Sequence, residues 1–229
     1  MATTELVHGF GFDIELSSDG HARVLVIDSL NSELPERYQP PPGESFTQVS
    51  GGRNHVVGLR SDGTALCWGR NESGQCDVPL DGIGGQEVFI QVAAGSTHSM
   101  GLRADGTVLC WGNENQGRCT PPEGLRFTQV AGGGHHCAGV TPDGRVVCWG
   151  ANDHGQCEVP GNHCFTKVVA GFDFTLALTS EGLIIAWGDN GCGQCDVPSH
   201  KQYTDVSAGW SAGFGALADG TTCRWGVER

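Results

Sequence analysis

FTQVAGGGHHCAGVTPDGRVVCWGANDHGQCEVP, residues 127–160, decides the fold, because the chain writes it several times. The same pattern reads FTQVSGGRNHVVGLRSDGTALCWGRNESGQCDVP over 46–79 and FIQVAAGSTHSMGLRADGTVLCWGNENQGRCTPP over 89–122. It returns as FTKVVAGFDFTLALTSEGLIIAWGDNGCGQCDVP over 165–198, and in shortened form as YTDVSAGWSAGFGALADGTTCRWG over 203–226. Asp62, Asp105, Asp143, Glu181 and Asp219 each precede a glycine, at separations of 43, 38, 38 and 38 residues. A further step of 43 residues back from Asp62 reaches Asp19, also followed by Gly. Ten residues before each acid stand Gly9, Gly52, Gly95, Gly133, Gly171 and Gly209. Six units therefore fill the chain, at about 3–45, 46–88, 89–126, 127–164, 165–202 and 203–229. The first is degenerate, with Leu25 where the others carry Trp68, Trp111, Trp149, Trp187 and Trp225.

Every local signal within a unit is β. A short apolar run leads to a Gly-rich corner, a second run to the acid–Gly turn, and a third run to Trp–Gly. Acid–Gly between two apolar runs marks a hairpin, since glycine accepts the positive φ that tight turns demand. No segment of 10–15 residues carries a 3.6-residue period, so helical solenoids of similar repeat length are excluded. Units of this kind bury their faces only against neighbours, in a closed propeller or an open β-solenoid. A length of 38–43 residues has room for four strands and favours blades. The expectation is one all-β domain over 1–229, a β-propeller of six blades, or of seven with one incomplete.

Gly-x-x-His, acid–Gly-x-Val and Trp–Gly-x-Asn-x-x-Gly–Gln, as in Gly133–His136, Asp143–Val146 and Trp149–Gln156, resemble the regulator of chromosome condensation repeat family. The resemblance covers residues 3–226 and implies a β-propeller, usually of seven blades. This chain departs in its six units, its Leu25, and its Cys76, Cys119, Cys157 and Cys195 where the family usually has Leu.

Composition narrows the function classes. Gly makes up 37 of 229 residues, about 16% against roughly 7% in ordinary chains. Charged residues are 17%, too few for a charge-rich disordered chain. Thirteen basic against 26 acidic residues give a net charge of −13, which disfavours direct binding to phosphate backbones. No apolar run reaches the roughly 18 residues of a membrane span, and MATTELVHGF reads as no secretory signal. Eleven cysteines, an odd number in a chain long enough to do without staples, point to reduced thiols and an intracellular location.

The repeated positions read as scaffold. Five Trp at one position are plugs between blades. His55, His98 and His136, spread over three units, suit a repeated hydrogen bond to a neighbouring loop better than catalysis. Cys67/Cys76, Cys110/Cys119 and Cys148/Cys157 recur nine apart as inherited packing, and Cys192–Cys195 lacks the second pair a zinc site needs. Counted outward from the Asp143–Gly144 turn, Cys137 and Cys148 are not opposite and are poorly placed for a disulfide. No phosphate loop or nucleophile elbow is present, so no catalytic residue, metal or cofactor is expected.

The positions that vary carry the functional reading. The two residues after each corner glycine are Phe10–Gly11, Arg53–Asn54, Ser96–Thr97, Gly134–His135, Phe172–Asp173 and Trp210–Ser211. Equivalent loops of a ring lie on one face, so Phe10, Arg53, Asn54, His135, Phe172, Asp173 and Trp210 are candidate partner-binding residues. A second candidate is Leu80–Val88, five residues longer than its counterparts, with Asp81 and Glu87. The leading expectation is a non-enzymatic scaffold or accessory subunit that binds protein, within a multi-subunit complex. Alternatives are guanine-nucleotide exchange on a small GTPase, substrate recognition for ubiquitin ligation, and light sensing through clustered tryptophans.

Overall fold

The computed structural model describes residues 4–8, 12–26 and 38–227. Eighteen strands form six antiparallel three-stranded sheets, each built from consecutive strands. They are β1 (Thr4–His8), β2 (Phe12–Ser17) and β3 (Ala22–Val26); β4 (Gln48–Gly51), β5 (His55–Leu59) and β6 (Ala65–Gly69); β7 (Gln91–Ala94), β8 (His98–Leu102) and β9 (Val108–Gly112). The second half holds β10 (Gln129–Gly132), β11 (His136–Val140) and β12 (Val146–Gly150); β13 (Phe165–Ala170), β14 (Phe174–Thr179) and β15 (Ile184–Gly188); β16 (Tyr203–Ala208), β17 (Ala212–Leu217) and β18 (Thr222–Gly226). Apart from short 3-10 turns at Tyr38 and Asn115–Gly117, the described residues are helix-free, and no helix among them is long and apolar enough to cross a membrane. The protein is a six-bladed β-propeller.

Among the described residues three strands form per unit rather than four, because in the Trp–Gly units the following segment is fastened by side chains instead of by a ladder. Asn71 Oδ1 accepts the Cys76 N–H at 2.7 Å while its Nδ2 donates to Asp77 at 2.7 Å. Asn152 and Asn190 repeat the clamp on Cys157 and Cys195.

The innermost strands β4, β7, β10, β13 and β16 line a central channel of about 420 Å³. Gln side chains join them. The Gln48 amide donates to Val92 O and accepts from Val92 N, at 3.1 and 2.9 Å; Gln91 does the same to Val130, and Gln129 to Val168. At the next position Lys167 meets Asp205, an ion pair at 2.5 Å in place of the amide.

Each repeated Trp is only 6–7% exposed. Its Nε1–H donates to a backbone carbonyl of the preceding unit: Trp111 to Gln75, Trp149 to Arg118, Trp187 to Gln156 and Trp225 to Gln194, all at 2.9–3.0 Å. Trp68 uses Tyr38 O, since the degenerate first unit has no Gly–Gln segment. The plug thus buries an aromatic body between blades and satisfies its one donor across the seam.

The repeated histidines are fully buried. Their partners are on the next blade's middle strand rather than on a loop. His55 Nε2 lies 2.9 Å from Ser99 Oγ, His98 Nε2 3.0 Å from Cys137 Sγ and His136 Nε2 2.8 Å from Thr175 Oγ1. Ser99, Cys137 and Thr175 in turn donate to the carbonyls of Gln75, Arg118 and Gln156. The corner glycine belongs to the same device. A Cβ on Gly133 would overlap the His136 ring, and one on Gly171 the Phe174 ring, so the corner tolerates no side chain.

Candidate functional site

The corners between the first and second strands of the second to sixth blades are held together by backbone hydrogen bonds from blade to blade. Arg53 N donates to Ser96 O at 3.3 Å, Ser96 N to Gly133 O at 3.1 Å, Gly134 N to Phe172 O at 2.9 Å and Phe172 N to Trp210 O at 3.1 Å. Gly134 is required here, since a Cβ at that position would overlap the Phe172 carbonyl. The corner tips therefore share one face and touch one another. Phe10 lies outside the described residues.

On that face Phe172 and Trp210 stack with centroids 4.3 Å apart and planes 7° from parallel. His135 meets the Phe172 ring edge-on at 5.0 Å. The exposed Arg53, from the second unit, places its guanidinium 5.5 Å from the Trp210 ring of the sixth, a cation–π contact. Asn54 is half-buried, and its carbonyl accepts from Arg70 N at 2.6 Å.

Asp173 sits between two imidazoles, with His135 Nδ1 at 3.8 Å and His154 Nε2 at 4.0 Å, and accepts from Gln156 Nε2 at 3.4 Å. Burial raises its pKa, and the two histidines oppose that rise. Burial, then the nearby Arg118 charge, lowers the pKa of His135. Between the fifth and sixth blades opens a hollow of about 280 Å³, walled by Phe172 and Trp210 and floored by Asp173, Asp189 and Gln194. Among the described residues no group of three or more His, Cys, Asp or Glu is arranged to hold a metal ion.

His154 and Asp189 belong to this surface, with the buried Gln156 beneath them, and all three come from the Trp–Gly loops. Their signal in the sequence was adjacency: each Trp–Gly follows the strand paired with its own corner, as His136 pairs with Gly150 and Phe174 with Gly188.

The insertion after Pro79 forms a small hairpin with bridges Leu80–Gln86 and Thr64–Val88. Thr64 lies in the turn between β5 and β6, at the opposite end of β5 from the Arg53 corner, so the insertion projects from the other face. It carries Leu80, Ile83 and Val88 at 62%, 94% and 56% exposure, with Ile90 beside it at 58%. Asp81 Oδ1 accepts from Ile83 N and Gly85 N at 3.0 and 2.6 Å and shapes the tip. Glu87 forks onto Arg103 at 3.0 and 2.5 Å. Glu44 holds Arg60 at the same spacing in the preceding unit, so the Glu87 contact is part of the repeat.

Relatives agree with this architecture. Comparison with curated proteins returned no match. The ectodomain of the Arabidopsis thaliana receptor kinase ACR4 is similar at 24% identity, over 98% of this chain and 81% of that one, with a TM-score of 0.73. The ectodomain of the Physcomitrella patens receptor kinase CR4 is similar at 26%, over 96% and 61%, with a TM-score of 0.75. Prp20p of Saccharomyces cerevisiae, described with its binding properties to Gsp1p and histones, is similar at 21%, over 97% and 71%, with a TM-score of 0.76. The model of the regulator of chromosome condensation (RCC1) repeat matches residues 46–75, 89–118, 127–156 and 165–194, more than half of the sequence, and the chain belongs to that family.

Proposed function

We propose that this propeller is a non-enzymatic protein-binding module, a scaffold or accessory subunit, that docks its partner on the corner face. The observation that carries this reading is the Phe172–Trp210 stack, capped by Arg53 and bordered by the acid-floored hollow. Aromatic and Arg side chains dominate interface energetics because they bury much area at little entropic cost. The net charge of −13 supports a protein partner over nucleic acid. The odd number of cysteines among the eleven supports an intracellular site of action, which imaging of a tagged chain in its native cell tests.

Affinity purification from the native source tests the docking face. Arg53→Glu combined with Trp210→Ala is expected to leave the melting temperature nearly unchanged and to abolish co-purification of the main partner. Retention of that partner by the double variant rejects the corner face.

A second reading is nucleotide exchange on a small GTPase. It is favoured by the apolar tip of the insertion, where Ile83 is 94% exposed. Ile83→Asp would then slow nucleotide release from the GTPase while the corner variant leaves it unchanged. An exchange rate indifferent to Ile83→Asp removes this reading.

A further inference from the structure

The sixth unit departs from the repeat at two positions that meet in space. Two residues before the aromatic that opens each repeat stand Glu44 in the second unit and Glu87 in the third, each forked onto an arginine, Arg60 and Arg103. In the sixth unit that position holds Lys201, and Leu217 occupies the position of the arginine. On the outer strand, the residue two before the repeated Trp is Leu66, Leu109, Val147 or Ile185 in the four preceding units, and Cys223 in the sixth. The ladders give the same equivalence: Cys223 lies opposite Gly215 as Leu66 lies opposite Gly58 and Leu109 opposite Gly101.

Lys201 Nζ donates to Cys223 Sγ at 2.8 Å. Among the described residues Cys223 is the one sulfur in contact with a lysine amine; Cys67, Cys119 and Cys195 donate instead to the carbonyls of Gln75, Asn113 and Asp189. Both members of the pair are held in place. Tyr203 N donates to Gly182 O at 2.7 Å and its hydroxyl to Pro198 O at 3.0 Å, which fixes the segment that carries Lys201. Cys223, on β18, packs against the cluster of Tyr203, Val206 and Trp225. The Tyr203 ring lies so close to Gly215, the residue opposite Cys223, that a Cβ there would overlap it. The two residues are half-buried, open enough for a small oxidant to reach. The hydrogen bond to sulfur raises the pKa of Lys201, so the contact keeps a proton on the nitrogen.

We propose that Lys201 and Cys223 form a peroxide-responsive site that closes through a covalent sulfur–nitrogen bond, a sulfenamide. The Cys223 sulfur gives its proton to solvent and attacks one oxygen of hydrogen peroxide. The O–O bond breaks and Cys223 becomes the sulfenic acid. The departing hydroxide takes a proton from the Lys201 ammonium and leaves as water. The neutral Nζ then attacks the sulfur, the S–O bond breaks, and the hydroxyl leaves with one amine proton as a second water. Sulfur loses two electrons to the peroxide oxygens, and the condensation itself is redox-neutral. Sulfenic acids condense with a nearby nitrogen in this way, whereas one without such a partner is driven by further peroxide to the irreversible sulfinic acid.

Lys201 precedes β16 and Trp210 follows it, so this pair lies at the opposite end of the blade from the corner face. Its chemistry requires no partner on that face.

The test is treatment of the reduced, folded wild-type chain with hydrogen peroxide, quenching with catalase, alkylation under denaturing conditions and peptide mass mapping. Most molecules are expected to carry Lys201 joined to Cys223, lighter than the two separate peptides by two hydrogens and with no added oxygen. Dithiothreitol should return the free amine and thiol. The same treatment in urea should give no link, because the 2.8 Å contact belongs to the fold. In Lys201→Arg, which keeps the charge but has no lysine amine, Cys223 should proceed to the sulfinic acid. Wild-type chain that leaves Cys223 as a thiol, oxidises it to an acid with Lys201 free, or yields a link that retains oxygen overturns the proposal. The wild-type mapping decides the matter whether or not the variant folds.

Discussion

Lowering the pH from 7 to 5 is expected to cost this propeller about 4 kcal/mol of stability or more, and the cause is three buried histidines. His55 and His136 are driven by burial to pKa values of about 4 and about 3, and His98, buried beside both and near Arg118, lies well below its ordinary 6.5. Their Nδ1 atoms have no hydrogen-bond partner, and at His55 a contact with the His98 backbone opposes the effect of burial only in part. In the unfolded chain each imidazole titrates near 6.5, so below that pH the unfolded state binds protons the folded state refuses. The stability is fully present above pH 6.5 and is lost as pH falls toward 4 for His55 and 3 for His136. His55 and His136 each contribute at most about 1.4 kcal/mol per pH unit in that window, hence roughly 2 kcal/mol apiece by pH 5, and His98 adds a loss of the same sign. Relief of the charge of −13 opposes this only weakly at pH 5, because most carboxylates are still ionised. The turn aspartates Asp62, Asp105, Asp143 and Asp219, held below their ordinary pKa by hydrogen bonds within the turn, add a loss of the same sign at lower pH.

Urea unfolding at pH 7 and pH 5 measures the effect. The chain contains its own control, since the position of His136 is taken by the fully buried Phe174 in the next unit. His136→Phe should therefore shrink the acid loss by roughly 2 kcal/mol. Equal stability at the two pH values rejects the argument.

The fold was legible because the repeat supplied a ruler. Acid–Gly turns and corner glycines marked every hairpin, and their registers hold in the ladders, as with Cys137 opposite Trp149 and His136 opposite Gly150. The strand count was not legible. Whether the run after Trp–Gly pairs or loops depends on the Asn71 clamp, a side-chain contact that propensity does not report. The candidate face was half legible. Variation after the corner glycine located Arg53, His135, Phe172, Asp173 and Trp210, but not that the rings of Phe172 and Trp210 would stack on each other. It also missed His154 and Asp189, because those loops reach the face only through the three-dimensional closure of each hairpin. Glu87 looked like a feature of the insertion, yet the matching Glu44–Arg60 pair shows it to be inherited from the repeat.

Replacing Trp149 with Ala is expected to cost about 3–5 kcal/mol, through lost burial and a cavity the neighbours cannot fill. Trp149 is 7% exposed and packs with Phe127, at 5.5 Å between centroids, and with Met100, Leu102 and Cys137. Met100 and Leu102 belong to the preceding blade, so the ring fills the seam and not merely its own sheet. Collapse into the void is limited, because Gly139 opposes Phe127 so closely that a Cβ there would overlap its ring. The indole also donates to Arg118 O at 3.0 Å. That carbonyl keeps weak donors in the thiols of Cys137 and Cys110, so loss of the hydrogen bond alone is the smaller contribution, about 1 kcal/mol. Trp149→Phe separates the two effects, retaining much of the packing while removing the donor, and should cost clearly less than the Ala change. For a chain of this size each kcal/mol moves the melting midpoint by roughly 2–4 °C, so Trp149→Ala should lower it by on the order of 10 °C. A midpoint within a degree or two of wild type would mean that the seam does not depend on its plugs. The same change at Trp68, whose acceptor is Tyr38 O rather than the carbonyl of Arg118, should give a loss of similar size, because burial and not the identity of the acceptor dominates both sites.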